Sequence, residues 1–127
     1  MIRAGTAGLL AIANEKTDHL WIVLTDEAQD SLAVIVMLTD ARNLEEPSIL
    51  LEAGKPLIPQ LSLTKRSTID CARARKLDWS TLNYIVSGPN FAKKGVVSAS
   101  DLTAIRDALL ISRDTPVDVL EYCRVRA

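Results

Sequence analysis

Residues 73–112 decide the fold, because they contain two helix starts: Arg73-Ala-Arg-Lys-Leu-Asp-Trp-Ser-Thr-Leu82 and Lys94-Gly-Val-Val-Ser-Ala-Ser-Asp101. Asp78 is a good N-cap for the first helix, which the turn sequence at residues 87–89 should end. Ser98, with Asp101 three residues later, resembles a capping box for the second helix. Pro116 suits the first position of a third helix. We expect helices near residues 79–86, 101–111 and 116–123.

The sequence before this stretch favours strands. The strongest strand predictions are residues 20–25 and 32–39, which are rich in β-branched and large apolar side chains and are joined by a polar linker. Neither strand alternates cleanly, so both of its faces should be covered, as in a small closed barrel. Weaker strand predictions are residues 8–13, 48–52, 57–62 (an edge strand or an irregular loop) and 68–76.

These predictions define the expected fold class. It is mainly β with C-terminal α-helices: a small antiparallel barrel of five to seven strands. A chain of 127 residues is one domain of common size. We therefore expect a single domain over residues 1–127, with the barrel at about 8–77 and the helices at about 78–125.

Composition excludes several functional classes. No apolar run approaches the roughly 20 residues that a membrane helix needs, and the charged residues after the first apolar run do not resemble a signal-peptide cleavage region. We expect a cytoplasmic protein. The sequence contains one histidine and no phosphate-binding loop, CxxC pair or HExxH motif, so we expect neither a metal nor another cofactor. Cys71 and Cys123 are interpreted as small apolar residues.

The net charge of −1 conceals an uneven distribution. Residues 1–54 have three basic and nine acidic side chains, whereas residues 55–94 have eight basic and two acidic ones. A basic segment of this kind indicates an anion-binding surface. An equally weighted alternative is a solvated surface whose charges pair with the acidic half of the chain.

His19, Thr39 and Arg42 form the candidate catalytic group. If the two strongest strands form an antiparallel hairpin, the start of the first lies beside the end of the second. His19 and Thr39 would then be neighbours at one rim of the barrel, with Asp40 and Arg42 close by. Histidine is the usual side chain for proton transfer near neutral pH. The alternatives are a surface histidine and an ordinary strand-end threonine.

Four segments, in order, resemble the MazF/PemK/Kid group of toxin endoribonucleases. That group has Arg-Pro before an apolar strand ending in Leu-Ser, where this chain has His19-Leu-Trp-Ile-Val-Leu-Thr25. Its next apolar strand ends in Thr-Ser, where this chain has Val34-Ile-Val-Met-Leu-Thr-Asp40. Residues 69–82 are similar to a third family segment, and Gly95-Val-Val-Ser98 is similar to the family's Gly-x-Leu-Ser before a helix. The resemblance covers about residues 8–112.

The resemblance implies an SH3-like barrel that works as a two-fold dimer and cleaves single-stranded RNA without a metal. It implies a type II toxin-antitoxin system, with an antitoxin protein as a partner. The family threonine is retained as Thr39, whereas the family arginine is replaced by His19 and the first loop is shortened to residues 14–18. Arg42, or Arg73 and Arg75, would stabilise the charge at the phosphate. The residues expected to bind RNA are Lys65, Arg66, Arg73, Arg75, Lys93 and Lys94.

Two other readings compete with the ribonuclease. The first is a binding module, in which the same barrel engages a protein or a nucleic acid without catalysis. The second is a family member that has lost catalysis and serves as a structural or dimerising domain, because a fold can be inherited without its activity.

Overall fold

The computed structural model describes residues 1–10, 18–44, 47–58 and 61–126. Within them lie eight strands, three α-helices and two short 3-10 helices (Ala41–Asn43 and Cys71–Arg73). The strands are β1 (Thr6–Leu10), β2 (His19–Val23), β3 (Ala33–Asp40), β4 (Pro56–Ile58), β5 (Leu61–Ser62), β6 (Ser67–Ile69), β7 (Arg75–Leu77) and β8 (Phe91–Val96). The helices are α1 (Trp79–Ser87), α2 (Ala99–Ile111) and α3 (Val117–Arg126). No helix in this part of the chain is both long and apolar enough to cross a membrane.

Six strands form one antiparallel sheet in the order β6-β3-β2-β1-β8, with β7 also paired to β3. The remaining strands, β4 and β5, form a separate hairpin, and β4 contacts β8. Leu51 forms an isolated bridge with Ser67, which ties the segment before this hairpin to the opposite end of the sheet. The expected fold class, a small antiparallel barrel-like domain with C-terminal helices, is confirmed.

Strands β2 and β3 are buried on both faces, as their unbroken apolar sequences predict. One face packs Ile22, Val34 and Val36 in a core that also contains side chains of α2 and α3. The opposite face packs Trp21 and Met37 in a second cluster that contains Leu82 of α1. The central hairpin is therefore held between helices, which fixes the positions of its ends.

The three helices confirm the capping signals to within a few residues. Ser98 accepts a hydrogen bond from the backbone N–H of Asp101 at 3.3 Å, as the capping box predicts. Asp78 precedes α1 as expected, but its side chain forms no capping hydrogen bond.

Strand β8 was not predicted, and it lies in the part of the chain assigned to helices. It follows α1 and pairs with β1 at the edge of the sheet. A Cβ atom on Gly8 of β1 would lie 2.3 Å from the Phe91 ring and 2.7 Å from the Ala92 carbonyl oxygen. Only glycine fits there, so this strand pair depends on the missing side chain. The sequence did not predict this strand because the charged Lys93 and Lys94 interrupt its apolar pattern.

The single strand predicted for residues 68–76 is wrong, because the 3-10 helix Cys71–Arg73 divides it into β6 and β7. Leu38 of β3 pairs with Ile69 of β6, and Ile35 of β3 pairs with Arg75 of β7. The two β3 residues are three positions apart, whereas their two partners are six positions apart. The 3-10 turn takes up the three extra residues and bends the sheet edge, as a bulge does.

The other strand predictions have mixed outcomes. Residues 48–52 do not form a strand, and only Leu51 makes a bridge. The first strand begins at Thr6, two residues before the predicted start, and is described as far as Leu10. Residues 11–13 of the prediction lie outside the described part of the chain, as do residues 14–17 of the predicted first loop. Residues 57–62 contain β4 and β5 on either side of two positions that are also outside it.

Candidate functional site

A groove of about 480 Å³ opens where β2 begins and β3 ends. It is formed by three parts of the chain: the start of β2, the end of β3 with its following 3-10 helix, and the segment that joins β5 to β6. Its lining residues are Asp18, His19, Leu20, Leu38, Thr39, Asp40, Asn43, Ser62, Leu63, Thr64, Lys65 and Ser67. This is the rim at which the sequence predicts a site.

His19 and Thr39 both line this groove. Trp21 pairs with Met37, and Val23 pairs with Ile35. The described pairs end at Trp21 and Met37, and the same register continued for two residues would align His19 with Thr39. The hairpin therefore brings an imidazole and a hydroxyl to one place across twenty residues of sequence.

The Thr39 side chain is almost enclosed, with 9% of the residue exposed. Its Oγ1 accepts a hydrogen bond from Asn43 Nδ2 at 2.9 Å. Asn43 belongs to the 3-10 helix that follows β3, so the turn folds back over the strand end. On its other side, Thr39 pairs with Thr68 of β6. The hydroxyl is thus held at a defined point in the groove.

Arg42 is paired with its near neighbour Asp40. Its Nη2 lies 2.7 Å from Asp40 Oδ2, and its Nε lies 3.1 Å from Oδ1. The Arg42 guanidinium and backbone N–H, both bonded to the carboxylate, lower the pKa of Asp40 to about 2. The Arg42 side chain is 83% exposed and does not line the groove. Arg42 therefore contacts a residue of the lining, Asp40, but its own charge is already compensated by that carboxylate.

Of the residues expected to bind RNA, Lys65 lines the groove. Arg66 is paired with Glu52 at 3.1 Å, and Arg73 with Asp70 at 3.5 Å. Arg75 is exposed on β7, and Lys93 and Lys94 are exposed on β8 at the other edge of the sheet. The basic segment is thus spread over several surfaces, with one lysine at the groove.

The sequence analysis missed the polar side chains that complete the groove. Asn43, Ser62, Thr64 and Ser67 line it together with the predicted pair. The contact between Asn43 and Thr39 could have been predicted from the sequence, because the two residues are four apart and one helical turn brings such residues together. The other three come from a segment more than twenty residues away, and only the folded chain brings them to the rim.

A second cavity, of about 330 Å³, lies between the β2–β3 turn, α2 and α3. Arg106 of α2 donates to the carbonyl oxygen of Leu24 there, through both Nε and Nη2. This contact satisfies a backbone acceptor just beyond the end of β2 and ties α2 to the sheet. Arg106 therefore has a structural role.

The described residues include no group of three or more His, Cys, Asp or Glu side chains that could hold a metal ion. Cys71 is buried and Cys123 is half-buried, and the two do not form a disulfide. In comparisons with known proteins, no family model matches this chain, and no curated protein matches it significantly. The groove and its side chains are therefore the basis on which a function is assigned.

Proposed function

We propose that the groove binds the sugar-phosphate backbone of single-stranded RNA and cleaves it without a metal ion, as in the MazF/PemK/Kid toxins that the sequence resembles. The observation that carries this proposal is that His19 and Thr39 line the same groove, at the start of β2 and the end of β3. RNA contains its own nucleophile, the ribose 2′-hydroxyl, so the protein need only move protons and stabilise charge.

The proposed reaction uses three side chains of the groove: His19, Thr39 and Lys65. His19 accepts the proton of the 2′-hydroxyl as the 2′-oxygen bonds to phosphorus. The bond from phosphorus to the 5′-oxygen breaks, and that oxygen takes a proton from water. The products are a 2′,3′-cyclic phosphate and a 5′-hydroxyl end. Thr39 donates a hydrogen bond to a non-bridging phosphate oxygen, and the Lys65 ammonium offsets the charge that develops there.

The lining of the groove favours sugar and phosphate as the groups that are bound. Its polar side chains include hydroxyls, an amide and a lysine, which hydrogen-bond to phosphate or ribose oxygens. The lining also contains the His19 imidazole and the carboxylates of Asp18 and Asp40, of which Asp40 is paired with Arg42. The described lining of the groove includes no phenylalanine, tyrosine or tryptophan ring on which a base could stack. We therefore propose that any sequence selectivity comes from hydrogen bonds to base edges.

The test is cleavage of a long mixed-sequence RNA by purified protein. Loss of the general base should slow cleavage by roughly 10²–10⁴-fold in His19→Ala. Thr39→Ala should also slow it, and a chelator should leave the wild-type rate unchanged. Tyr84→Ala, at an exposed position on α1, is the matched control and should cleave normally. Equal cleavage by wild type and His19→Ala would show that the proposed base is wrong.

A second candidate function is RNA or protein binding without cleavage. The observation that favours it is the Asp40–Arg42 pair, because the Asp40 carboxylate compensates the charge of Arg42. Among the described lining residues, Lys65 is then the one Lys or Arg side chain that can stabilise charge on the phosphate. Wild-type protein that binds the RNA but leaves it intact at every pH tested would establish this reading in place of the first.

We further propose the partners that a toxin of this kind requires: a second copy of the chain, forming a two-fold dimer, and an antitoxin protein that blocks the groove. The compartment would be the cytoplasm, where the RNA is. Expression of the wild-type chain alone should arrest cell growth, and His19→Ala should relieve the arrest. Growth unaffected by a folded wild-type protein would contradict the toxin assignment while leaving RNA binding open.

A further inference from the structure

The hydrogen of the Thr39 hydroxyl has no acceptor among the described residues, although the residue is nine-tenths buried. The one hydrogen bond of this hydroxyl is the one it accepts from Asn43 Nδ2 at 2.9 Å. A buried hydroxyl normally both donates and accepts, because an unused donor removed from water costs free energy. The Thr39 hydroxyl can therefore donate a hydrogen bond to a ligand in the groove.

Asn43 determines which way this donor points. An amide N–H directed at Oγ1 occupies one lone pair and repels the hydroxyl hydrogen from that side. The hydrogen must then turn towards a different direction, and Thr39 and Asn43 both line the groove. Lys65, also on the lining, supplies a positive charge that attracts a negatively charged oxygen, while the nearby Asp40 carboxylate is paired with Arg42.

We propose that Asn43 is a positioning residue, which holds the Thr39 hydroxyl as a hydrogen-bond donor to a phosphate oxygen in the groove. The inference rests on the proposed function, since the phosphate belongs to the RNA backbone. Asn43 acts through Thr39 and need not touch the RNA. Its contribution is to orient the donor before the RNA arrives, so that no rotation has to be fixed on binding.

Two substitutions separate orientation from simple loss of contact. Asn43→Ala removes the amide and lets the hydroxyl rotate. Asn43→Asp replaces the amide donor by a carboxylate acceptor, which draws the Thr39 hydrogen away from the groove. Because the aspartate also adds negative charge, Thr64→Asp is the matched control: it places a carboxylate on the same lining at an exposed position.

The experiment measures binding of a 2′-deoxy-substituted RNA, which cannot be cleaved, and cleavage of the unmodified RNA in the same buffers. Asn43→Ala should weaken transition-state stabilisation by roughly ten- to a hundredfold, the effect expected for one hydrogen bond to a charged oxygen. Asn43→Asp should lose more than Thr64→Asp does. In the Thr39→Ala background, Asn43→Ala should have no further effect, because its target is gone. Because Asn43→Ala removes a hydrogen bond from the buried Thr39 hydroxyl, thermal unfolding is measured for each variant and activities are compared at a temperature at which all of them are folded.

The outcomes distinguish this inference from the proposed function. If the wild type neither binds nor cleaves RNA, the proposed function fails. If the wild type is active but Asn43→Ala matches it, the positioning role alone is overturned. The same follows if Asn43→Asp is no worse than Thr64→Asp, or if Asn43→Ala and Thr39→Ala have additive effects.

Discussion

Asp40 shows how a single residue at the groove is set by its neighbours. Its carboxylate accepts hydrogen bonds from the Arg42 side chain and from the Arg42 backbone N–H at 2.9 Å. These bonds favour the charged form and lower the pKa of Asp40 to about 2, from an ordinary value of 3.8. The pair therefore stays ionised across the pH range in which RNA would be bound, and Asp40 cannot serve as a general acid there.

Arg42→Gln should return the pKa of Asp40 towards 3.8, measured from the carboxyl carbon by NMR titration. Because the folded-state pKa is depressed, the pair stabilises the protein above the unfolded-state value and loses this contribution as pH falls from 3.8 towards 2. The melting temperatures of wild type and Arg42→Gln should therefore converge at the acid end of this range. Lys65→Gln is the control and should raise the pKa of Asp40 less, since Lys65 makes the smallest contribution to lowering that pKa. An unchanged titration in Arg42→Gln would show that the pair does not form in solution.

At the scale of the element, the Tyr122 hydroxyl ties α3 to the hairpin formed by β2 and β3. Tyr122 Oη accepts a hydrogen bond from the Leu32 backbone N–H at 2.8 Å and lies 3.2 Å from Ser31 Oγ. Lys76 of β7 lies over its ring, 6.0 Å from the centroid. The last helix is thus tied to the turn that connects β2 and β3, which is the hairpin that positions His19 and Thr39.

Tyr122→Phe should lower the free energy of unfolding by about 1–3 kcal/mol, because it leaves the Leu32 N–H without its partner while keeping the ring. Hydrogen exchange along α3 should become faster than in wild type. Tyr84→Phe is the matched control: this tyrosine is 82% exposed, and the change should cost less than about 0.5 kcal/mol. Equal effects of the two substitutions would show that the hydroxyl does not hold the helix.

For the whole molecule, the question is which surface carries the basic segment. Lys65 lies at the groove, whereas Lys93 and Lys94 lie on edge strand β8, separated from β2 by β1. Lysines on an edge strand also prevent pairing with another sheet, so their placement alone does not imply RNA binding. The salt dependence of binding can separate the two roles.

Lys65→Ala should reduce the slope of log affinity against log salt by about 0.7, the value for one phosphate contact on a single strand. Removing Lys93 and Lys94 together should weaken binding and reduce the slope by up to about 1.4 if each meets a phosphate. Lys55→Ala is the control, because its Nζ is paired with Asp101 at 3.0 Å. A slope unchanged by loss of Lys93 and Lys94 would confine the RNA to the groove end of the sheet, contrary to the sequence-based prediction.

The proposed dimer is also a property of the whole molecule. Large aliphatic side chains are exposed on α2 and α3, among them Ile111 and Val117. Light scattering at tens of micromolar should give the mass of two chains. Val117→Lys should shift the protein towards a monomer, and Tyr84→Lys, at an exposed position on α1, should not. A monomer mass for the wild type at this concentration would contradict the proposal.

The candidate site could be predicted in part because hairpin pairing is local. Two apolar runs joined by a short polar linker form an antiparallel pair, which brings the start of β2 with His19 and the end of β3 with Thr39 to the same groove. Asn43 and the Ser62–Ser67 part of the lining were missed because their approach depends on how the 3-10 helix and the β5–β6 connection fold back. Arg42 pairs with Asp40 and does not line the groove, which depends on side-chain geometry that spacing does not reveal.

The sequence by itself determined the fold class, the three helices and the central hairpin. Each of these depends on signals within a few residues: caps, turn residues and apolar runs. Tertiary structure decided the rest. Strand β8 exists because Gly8 leaves room for the Phe91 ring, and residues 67–77 divide into two strands because both must pair with the same edge of β3. The groove is likewise made from segments distant in sequence, because its walls are set by packing between elements and not by any one of them.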